Sequence, residues 1–375
     1  MTNPLFDHHY PQKGRVLLSL KKVHIDGLLL LGLLILLGVG LIVLYSAGDQ
    51  NTALMVKQLT RMSIAFILML FLANIHPDRM QDWAYWLYGL GLLLLVAVLM
   101  FGHEGKGAQR WLDLGFVRFQ PSELMKLAVP LLVASYLAAR PLPPSALRLI
   151  VALMMIVIPS LMIAKQPDLG TSLLIATSGL IVISLSGISW RIISGFLASG
   201  LAALPVLWYV MHDYQRRRVL TFLNPESDPL GSGYHIIQSK IAIGSGGLWG
   251  RGWLEGTQAH LAFLPERSTD FIFAVIAEEF GLLGVGVLLL LYLCIAGRGI
   301  YIASQAQTSF ARLLAGSISI TFLVYVFVNV GMVTGLLPVV GVPLPLISYG
   351  GTSMVTLLAG FGILMSIHTH RRMMT

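Results

Sequence analysis

Long apolar stretches recur along this chain and constrain its fold more than any other feature. The first of them, from Gly27 to Tyr45, contains no charged residue. About 20 apolar residues suffice for one helix to cross the hydrocarbon core of a bilayer. Over the whole chain 56% of the residues are hydrophobic and 11% are charged, whereas soluble domains carry about 25% charged residues. The sequence therefore predicts an integral membrane protein.

Ten such stretches are predicted to form transmembrane helices, because helices satisfy their own backbone hydrogen bonds within the bilayer. They are residues 27–46, 60–75, 83–101, 122–138, 146–164, 171–188, 191–211, 271–297, 313–335 and 351–367. The predicted fold class is thus an all-α integral membrane protein, a single polytopic domain over residues 1–375. It has a cytoplasmic N-terminal segment (1–26), a large extracytoplasmic loop between spans seven and eight (212–270) and a cytoplasmic tail (368–375).

Basic residues indicate how the predicted spans are oriented. The short loops on one side carry about twice as many Lys and Arg residues as those on the other, and such residues are retained on the cytoplasmic side. Both termini are therefore predicted to be cytoplasmic, and both long loops, 102–121 and 212–270, to face outward. The net charge of +8 is spread over loop ends instead of forming a basic domain. This argues against a nucleic-acid partner and for membrane lipids and an anionic lipid substrate.

Polar residues cluster around the start of the fourth span. Arg110 and Trp111 lie in an outer loop whose alternating apolar residues predict a short hairpin or an interfacial segment, and Trp111 could equally belong to the aromatic belt of the membrane. Glu123 and Lys126 share one face of the fourth helix. Either Lys126 extends towards the interface from a helix-end ion pair, or the pair has a function, because ionisable residues inside a span are costly. Both interpretations remain open.

Three further polar residues lie on the predicted outer side. Asp168 is favoured as the N-cap of the sixth helix, where it could accept a hydrogen bond at Thr171. Arg216 begins a run of three Arg residues that suits a pyrophosphate, although lipid headgroups would attract it nearly as well. Lys240 lies in Tyr234–Ile243, which is predicted to be a short amphipathic helix on the outer surface.

Two loops have unusual compositions. Residues 244–252 are rich in glycine but match no nucleotide-binding pattern. Their amides could cradle an anion, although a flexible loop is the commoner explanation. Residues 338–353 are apolar and broken by three prolines, so they cannot form a regular span. At membrane depth they must pack inside protein or line a cavity.

Asp270 stands where the outer loop meets the eighth apolar stretch. It could cap the helix that follows, although no capping box accompanies it. Glu278 and Glu279 lie about two turns further along, and at least one of them must face protein or water, which predicts a polar cavity beneath the loop. A carboxylate above such a cavity suits the removal of a proton from a sugar hydroxyl. These residues alone support the two roles of Asp270 about equally.

Five segments together resemble the SEDS family, whose members act in cell shape, elongation, division and sporulation. They are Lys-Gly-Ala-Gln-Arg-Trp-Leu (106–112), Phe-Gln-Pro-Ser-Glu-Leu-Met-Lys (119–126), Gln-Pro-Asp-Leu-Gly (166–170), Phe-Leu-Pro-Glu-Arg-Ser-Thr-Asp-Phe-Ile-Phe (263–273) and Leu-Ile-Ser-Tyr-Gly-Gly (346–351). The resemblance covers essentially the whole chain and is closest to the cell-elongation branch.

The resemblance implies a peptidoglycan glycosyltransferase at the outer face of the bacterial cytoplasmic (inner) membrane. Such an enzyme polymerises lipid II into β-1,4-linked glycan strands and releases undecaprenyl pyrophosphate. The family's essential loop carboxylate falls on Asp270, which would be the general base for the 4-hydroxyl of the acceptor sugar. An α-linked donor and a β-linked product imply inversion by a single displacement, and the pyrophosphate leaving group should need cations in place of a second carboxylic acid.

The same resemblance implies further site residues and partners. Arg110, Trp111, Glu123, Lys126 and Asp168 match functionally sensitive positions of the family. Arg216 and Lys240 are assigned, with Arg110 and Lys126, to contacts with the pyrophosphate or sugars. The expected partners are the nascent glycan strand, a class B penicillin-binding protein (a transpeptidase) and other proteins of the elongation complex. The sequence requires no cofactor and shows no metal-ligand cluster of the usual spacing, which leaves assistance by a divalent cation, Mg or Mn, open.

Two other classes of function compete with this one. A flippase (transporter) for lipid II would use buried charges such as Glu123, Lys126 and Glu278, but no inverted repeat is visible and the polar residues cluster on one face. A non-catalytic scaffold for a penicillin-binding protein would make Asp270 incidental, so that Asp270→Asn should be silent.

Overall fold

The computed structural model of the protein describes residues 24–105, 108–113, 118–211, 213–228, 231–256 and 266–370. Its helices, in chain order, are α1 (Gly27–Ala47), α2 (Thr52–Ala73), α3 (Pro77–Phe101), α4 (Pro121–Ala138), α5 (Ala146–Lys165), α6 (Leu169–Leu185), α7 (Trp190–Val210), α8 (Asp213–Leu223), α9 (Ser232–Gly246), α10 (Ile272–Ser304), α11 (Ser309–Val333) and α12 (Thr352–Thr369). Three short strands, β1 (His103–Gly105), β2 (Ala108–Asp113) and β3 (Arg118–Phe119), precede α4.

The helices confirm a mostly helical membrane fold. Within the described part of the chain, seven helices are long and apolar enough to cross a membrane: α1, α2, α3, α5, α10, α11 and α12. Two more apolar helices are shorter, α6 and the first part of α7, and α4 carries the charges of Glu123 and Lys126. The count of ten spans therefore stays a prediction.

Helix α4 lies in the middle of the bundle. Most of its residues are buried, and it packs against α3, α5, α6, α11 and α12. Around it, α12 packs on α2, and α10 packs on both α1 and α11. Because α4 is enclosed by other helices, its polar residues face protein, while large apolar side chains such as Trp86 of α3 and Leu282 of α10 are exposed on the outside.

The strands confirm the predicted hairpin. β2 pairs with β1 and with β3 in antiparallel register, with His103 opposite Trp111 and Leu112 opposite Phe119. The hairpin leads directly into α4, whose first residue is Pro121. Proline suits this position because its missing N–H would have no partner inside the helix.

Helix α10 is broken at Gly281, where φ is 65° and ψ is −167°. The glycine-rich segment replaces the hydrogen bonds that the break removes. The amides of Arg251 and Gly252 donate to the carbonyls of Glu278 and Glu279 at 2.9 and 3.0 Å. In return, the amides of residues 282 and 283 donate to the carbonyls of residues 247 and 248 at 3.0 and 3.2 Å. The expectation of a flexible loop is therefore wrong, and these two loop amides are committed to the helix instead of to an anion.

Helix α9 contains the predicted amphipathic segment but packs on protein. Ile236, Ser239 and Ala242 are buried, and Ser239 Oγ donates to the carbonyl of Val333 at the end of α11, at 2.8 Å. The helix thus packs on α10 and α11 and does not lie only on a membrane surface, as its sequence pattern had suggested.

The segment between α11 and α12 packs inside the protein, as predicted from its prolines. It contains no helix or strand over residues 338–350, and Val342, Leu344, Leu346 and Ile347 are buried. Ser348 Oγ accepts a hydrogen bond from the amide of Leu344 at 2.8 Å. We refer to residues 338–350 as the proline loop.

A buried ion pair joins three helices at the opposite end of the bundle. Asp26 caps α1 by accepting from the amide of Leu29, and its Oδ2 also lies 2.6 Å from Arg298 Nη2 of α10 and 3.1 Å from His368 Nε2 of α12. Asp270 lies just before the first residue of α10, and Arg298 lies near its last turns. The ion pair of Asp26 with Arg298 and the carboxylate of Asp270 are therefore at opposite ends of α10.

Candidate active site

Asp270 lies in the turn that precedes α10 and does not cap that helix. The capping position is occupied by Phe271, whose side chain accepts no capping hydrogen bond, so the capping interpretation of Asp270 is wrong. Its carboxylate faces the proline loop at Gly341, where φ is +75° and an added Cβ would lie 3.4 Å from Asp270 Oδ2. A residue without a side chain lets the loop backbone approach the carboxylate there.

Hydrogen bonds fix the backbone of this turn at three consecutive carbonyls. The carbonyl of Ser268 accepts from the amide of Tyr349 at 2.8 Å, and that of Thr269 accepts from Ser348 Oγ at 2.5 Å. The carbonyl of Asp270 accepts from Asn329 Nδ2 of α11 at 2.9 Å. The position of Asp270 is therefore set by α11 and the proline loop.

A second set of contacts fixes the other side of the turn. Thr269 Oγ1 donates to Glu266 Oε2 at 2.6 Å, and Arg267 forms an ion pair with Asp49, just beyond α1. Glu266, Arg267, Ser348 and Tyr349 lie in segments that carry the family resemblance, but no role was predicted for any of these supporting residues. For Asn329 the sequence does contain a signal: it is a polar residue within the apolar stretch of α11, and polar groups inside a span need partners.

Glu123 and Lys126 form a buried ion pair at the start of α4. Lys126 Nζ lies 2.7 Å from Glu123 Oε1, and Glu123 Oε2 accepts from Thr356 Oγ1 of α12 at 2.9 Å. The ammonium also lies 5.5 Å from the centroid of the Tyr325 ring, within the range of a cation–π contact. Lys126 thus points into the protein, and the interpretation of a lysine that extends to the interface is wrong.

Lys126 lines a cavity enclosed by α4, α6, α11, α12 and the proline loop. Its polar lining includes Lys126, Ser348, Ser353 and Thr356, and its apolar walls include Leu127 and Phe322. The hydroxyl of Ser348 also binds the carbonyl next to Asp270, so the lining of the cavity reaches the turn that carries the carboxylate. A buried cation, an apolar pocket and a carboxylate are thereby joined through one loop.

Glu278 and Glu279 do not line this cavity. Both are buried, with 0% and 1% of their surface exposed, and Glu279 accepts a hydrogen bond from Ser46 of α1. They face protein, as at least one of them was expected to, but the cavity described above is mostly apolar and is lined by other residues, so it is not the polar cavity predicted beside them.

Asp168 has the predicted capping role and a further one. It accepts from the amide of Thr171 at 3.3 Å, which confirms it as the N-cap of α6. It also accepts from Gln120 Nε2 at 3.2 Å and lies 3.7 Å from Arg110 Nη1. Arg110 Nη2 donates to the carbonyl of Pro167 at 2.5 Å. Arg110 and Asp168 therefore fasten the hairpin to the turn before α6, and Asp168 also attracts the ammonium of Lys126 electrostatically.

The other three predicted site residues, Trp111, Arg216 and Lys240, differ in their burial and contacts. Trp111 is half-buried in β2. Arg216 donates to the carbonyls of Trp208 and Tyr209 at 2.9 and 2.8 Å, which are groups left over at the end of α7. Lys240 is exposed on α9.

Another cation, which was not among the predicted site residues, adjoins the proline loop. The guanidinium of Arg61 in α2 lies 4.7 Å from the centroid of the Tyr349 ring. Tyr349 is the residue whose amide binds the turn before Asp270, so Arg61 adjoins the same loop. Among the residues that the structure describes, no group of three or more His, Cys, Asp or Glu side chains is arranged to hold a metal ion.

Comparison with known proteins finds close relatives along almost the entire chain. Residues 20–373 match the cell cycle protein family described as FtsW, RodA and SpoVE. The peptidoglycan glycosyltransferase MrdB of Escherichia coli K12 is 56% identical over 355 residues, which cover 94% of this chain and 96% of that protein.

Two solved structures share the fold. A chain from a study of how a peptidoglycan synthase complex coordinates polymerisation and crosslinking has a TM-score of 0.80 and 34% identity, and the alignment covers 92% of this chain and 99% of that one. The rod shape determining protein RodA of Thermus thermophilus has a TM-score of 0.70 and 30% identity, with 92% and 96% covered.

Proposed function

This chain belongs to the FtsW, RodA and SpoVE family of cell cycle proteins and is a peptidoglycan glycosyltransferase, and we propose that Asp270 is the general base of its reaction. The observation that carries this proposal is the turn before α10, which presents a carboxylate beside Gly341 while three hydrogen bonds hold its backbone. A general base must be held within hydrogen-bonding reach of the proton it removes. Fixing the backbone on either side of Asp270 would help to hold its carboxylate at such a position.

The proposed substrate is lipid II, and the reaction is a single inverting displacement. The 4-hydroxyl oxygen of the acceptor sugar attacks the anomeric carbon of the donor while its proton passes to the carboxylate of Asp270. The bond between that carbon and the pyrophosphate breaks, its electrons go to the leaving undecaprenyl pyrophosphate, and a β-1,4 linkage forms. Asp270 then returns its proton to water.

Charge that develops on the pyrophosphate needs a cation in a site with little water. We propose Lys126 for this role, because its ammonium lines the cavity and is held by Glu123 and the ring of Tyr325. The apolar walls of the cavity suit the lipid portion of an amphiphilic substrate. Arg110 and Asp168 would contribute by holding the hairpin with Trp111 at the entrance to α4.

Arg216 and Lys240 have different prospects as substrate-binding residues. The contacts of Arg216 with the carbonyls of α7 use two of its five N–H donors, so a contact with the pyrophosphate would have to use the others. Lys240 is exposed, so it could contact the substrate with no change in the structure.

We propose that chelation tests whether a divalent cation takes part in the reaction. If Mg or Mn assists, EDTA should slow polymerisation and the added ion should restore it.

The arrangement in the membrane is part of the proposal. Ten spans with both termini in the cytoplasm would put Asp270 at the outer face of the bacterial inner membrane. The partner would be a class B penicillin-binding protein, which crosslinks the strands that this protein makes. The structural relative that comes from a study of a peptidoglycan synthase complex supports such a pairing.

Polymerisation of purified lipid II by the detergent-solubilised protein with its partner tests the function. Wild type should make glycan polymer, and Asp270→Asn should not. Asp49→Asn is a matched control, because it also removes a carboxylate that contacts the turn, through Arg267, but one with no proposed role in proton transfer.

The other outcomes identify the competing functions. If both Asp270→Asn and wild type make polymer, Asp270 is not the base. If neither makes polymer and lipid II still crosses vesicle membranes, the protein is a flippase. If neither polymerises nor moves lipid II, but the partner's activity depends on the protein, it is a scaffold.

A further inference from the structure

We infer that Asn329 and Ser348 are positioning residues for Asp270, a role that rests on the proposed function and deepens it. Both act on the backbone of the turn. Ser348 Oγ donates to the carbonyl of Thr269 at 2.5 Å, and Asn329 Nδ2 donates to the carbonyl of Asp270 at 2.9 Å. The position of the carboxylate therefore depends on two side chains that are distant in the sequence. Asn329 is 59 residues from Asp270, and Ser348 is 79 residues from Thr269.

Asn329 ties three segments together through one amide group. It is fully buried in α11, and its Nδ2 donates both to Asp270 and to the carbonyl of Val342 in the proline loop, at 2.7 Å. An amide nitrogen has two hydrogens, so both are used. Removing this group would leave the buried carbonyl of Val342 and the partly buried carbonyl of Asp270 without this donor, and leaving a buried acceptor unsatisfied costs more than the hydrogen bond contributes.

Ser348 links the turn to the wall of the cavity. Its hydroxyl accepts from the amide of Leu344 at 2.8 Å while donating to Thr269, and the next residue, Tyr349, donates its amide to Ser268. Ser348 also lines the cavity that contains Lys126. The proline loop, which lines the cavity with Lys126, thus also sets where the carboxylate of Asp270 lies. It would hold these two charged groups at a fixed separation when one substrate molecule is bound.

This geometry predicts an effect on turnover and little on substrate affinity. A displacement of about 1 Å at a reacting group can cost about 10²-fold in rate. Loss of either hydrogen bond would let the turn shift, whereas Lys126, Glu123 and Thr356 keep their own contacts. Positioning variants should therefore lower kcat while KM for lipid II stays nearly constant.

The chain offers a matched control for the test. Ser366, near the C-terminal end of α12, is also a buried serine. Its hydroxyl donates to the carbonyl of Ile75, which lies between α2 and α3. Ser366→Ala and Ser348→Ala therefore each delete a hydrogen bond from a serine to a carbonyl, and each also removes a second contact, with His370 Nδ1 for Ser366 and with the amide of Leu344 for Ser348. The contacts of Ser366 are remote from Asp270. Ser348→Thr keeps the hydroxyl and serves as the conservative variant.

The experiment measures lipid II polymerisation by the full-length variants with their partner, together with their thermal denaturation midpoints. We expect Ser348→Ala and Asn329→Leu to lower kcat by about tenfold or more, with KM changed by less than about twofold. Ser348→Thr should recover most of the loss, and Ser366→Ala should keep wild-type kcat although its midpoint falls as far as that of Ser348→Ala. Hydrogen exchange of residues 266–276 should speed up in the first two variants and not in Ser366→Ala.

Two results would overturn the inference. If Asp270→Asn is inactive while Ser348→Ala and Asn329→Leu turn over at the wild-type rate, the positioning role fails and the base remains. The role also fails if kcat falls equally in Ser348→Ala and Ser366→Ala, since stability alone then accounts for the loss. Should Asp270→Asn itself polymerise lipid II, the proposed base and the positioning role fall together.

Discussion

Among single residues, Glu123 and Lys126 show how a buried ion pair can stabilise the fold and take part in function, and how the two roles can be separated. Deleting one partner of a buried pair leaves an uncompensated charge and costs about 3–5 kcal/mol, whereas replacing both with neutral residues of similar size is often tolerated. The pair lies between α4 and α12, where Thr356 holds Glu123. It therefore contributes to packing whatever its role in the reaction.

The first prediction compares Lys126→Met with the double variant Glu123→Gln, Lys126→Met. The single variant should unfold at a lower temperature than wild type, because Glu123 is left charged and buried. The double variant should recover most of that loss. If Lys126 stabilises the pyrophosphate, polymerisation should stay at least about tenfold down in the double variant. Wild-type turnover in a stable double variant would show that the pair is only structural.

A second residue-scale prediction concerns His235, whose ring stacks on Phe271 at a centroid distance of 5.5 Å. Burial lowers the pKa of His235, while the carboxylates of Glu266 and Asp228 act in the opposite direction without cancelling it. The folded protein therefore binds this proton less readily than the unfolded chain. Stability that is fully present above the ordinary histidine value of about 6.5 should be lost progressively as the pH falls below it.

His235→Phe provides the comparison for this pH dependence, because it keeps an aromatic ring against Phe271 and removes the titrating group. Denaturation midpoints of both proteins should be measured from about pH 5 to pH 8. The difference between wild type and variant should be constant above about pH 6.5 and shift against wild type below it. A difference that does not change with pH would contradict the assignment.

At the scale of elements, the break in α10 is stabilised by a segment far away in the sequence. Gly250 has a φ of +83°, and a Cβ added there would lie 2.2 Å from the carbonyl oxygen of Glu279. Gly250→Ala should therefore push the loop off α10 and lower stability by about 1–3 kcal/mol, with a loss of polymerisation because Asp270 lies in the turn that leads into the same helix. Gly244 has open space around it.

Gly244→Ala is accordingly the control, and thermal denaturation in detergent is the measurement. Its midpoint should stay at or slightly above that of wild type, since alanine favours a helix over glycine by about 1 kcal/mol. Equal midpoints for Gly250→Ala and wild type would show that the loop does not support the break.

The elements also show what the sequence could and could not reveal. Apolar runs located the helices to within a few residues at most ends: the fifth span was predicted at 146–164, and α5 is Ala146–Lys165. The start of the third span, predicted at 83, was further off, because α3 begins at Pro77. The cap formed by Asp168 was predictable because its partner lies three residues away. The contacts of Asn329 with Asp270 and of Gly247 with Leu282 join distant segments, and local patterns carry no information about such pairs.

The candidate site was predicted to a similar extent. The resemblance to a known family indicated Asp270, Glu123 and Lys126, but composition and spacing could not show that the proline loop connects them. Arg216 illustrates the other limit: a run of three arginines predicts a phosphate site, and the structure adds contacts of this side chain with the end of α7 that no local pattern indicates. Its contact with a pyrophosphate stays a prediction.

For the whole molecule, orientation in the membrane is the feature that places the reaction. The part of α10 that follows its break at Gly281 runs to Ser304 and is about 35 Å long, longer than the roughly 30 Å hydrocarbon core, so the two ends of α10 should emerge on opposite sides. In a Cys294→Ser background, Arg251→Cys should react with a membrane-impermeant maleimide in intact cells, and Gln305→Cys only after the cells are opened. The reverse pattern would place Asp270 in the cytoplasm and exclude the proposed reaction.

The most direct test of the account is the turnover number at saturating lipid II of wild type, Asp270→Glu and Asp270→Asn, each folded and bound to its partner. A general base typically contributes about 10²–10⁴-fold, so Asp270→Asn should fall by at least about 10²-fold while still binding lipid II. Asp270→Glu, which keeps a displaced carboxylate, should be intermediate. If Asp270→Asn retains more than about a tenth of the wild-type turnover, Asp270 is not the base and the central claim is wrong.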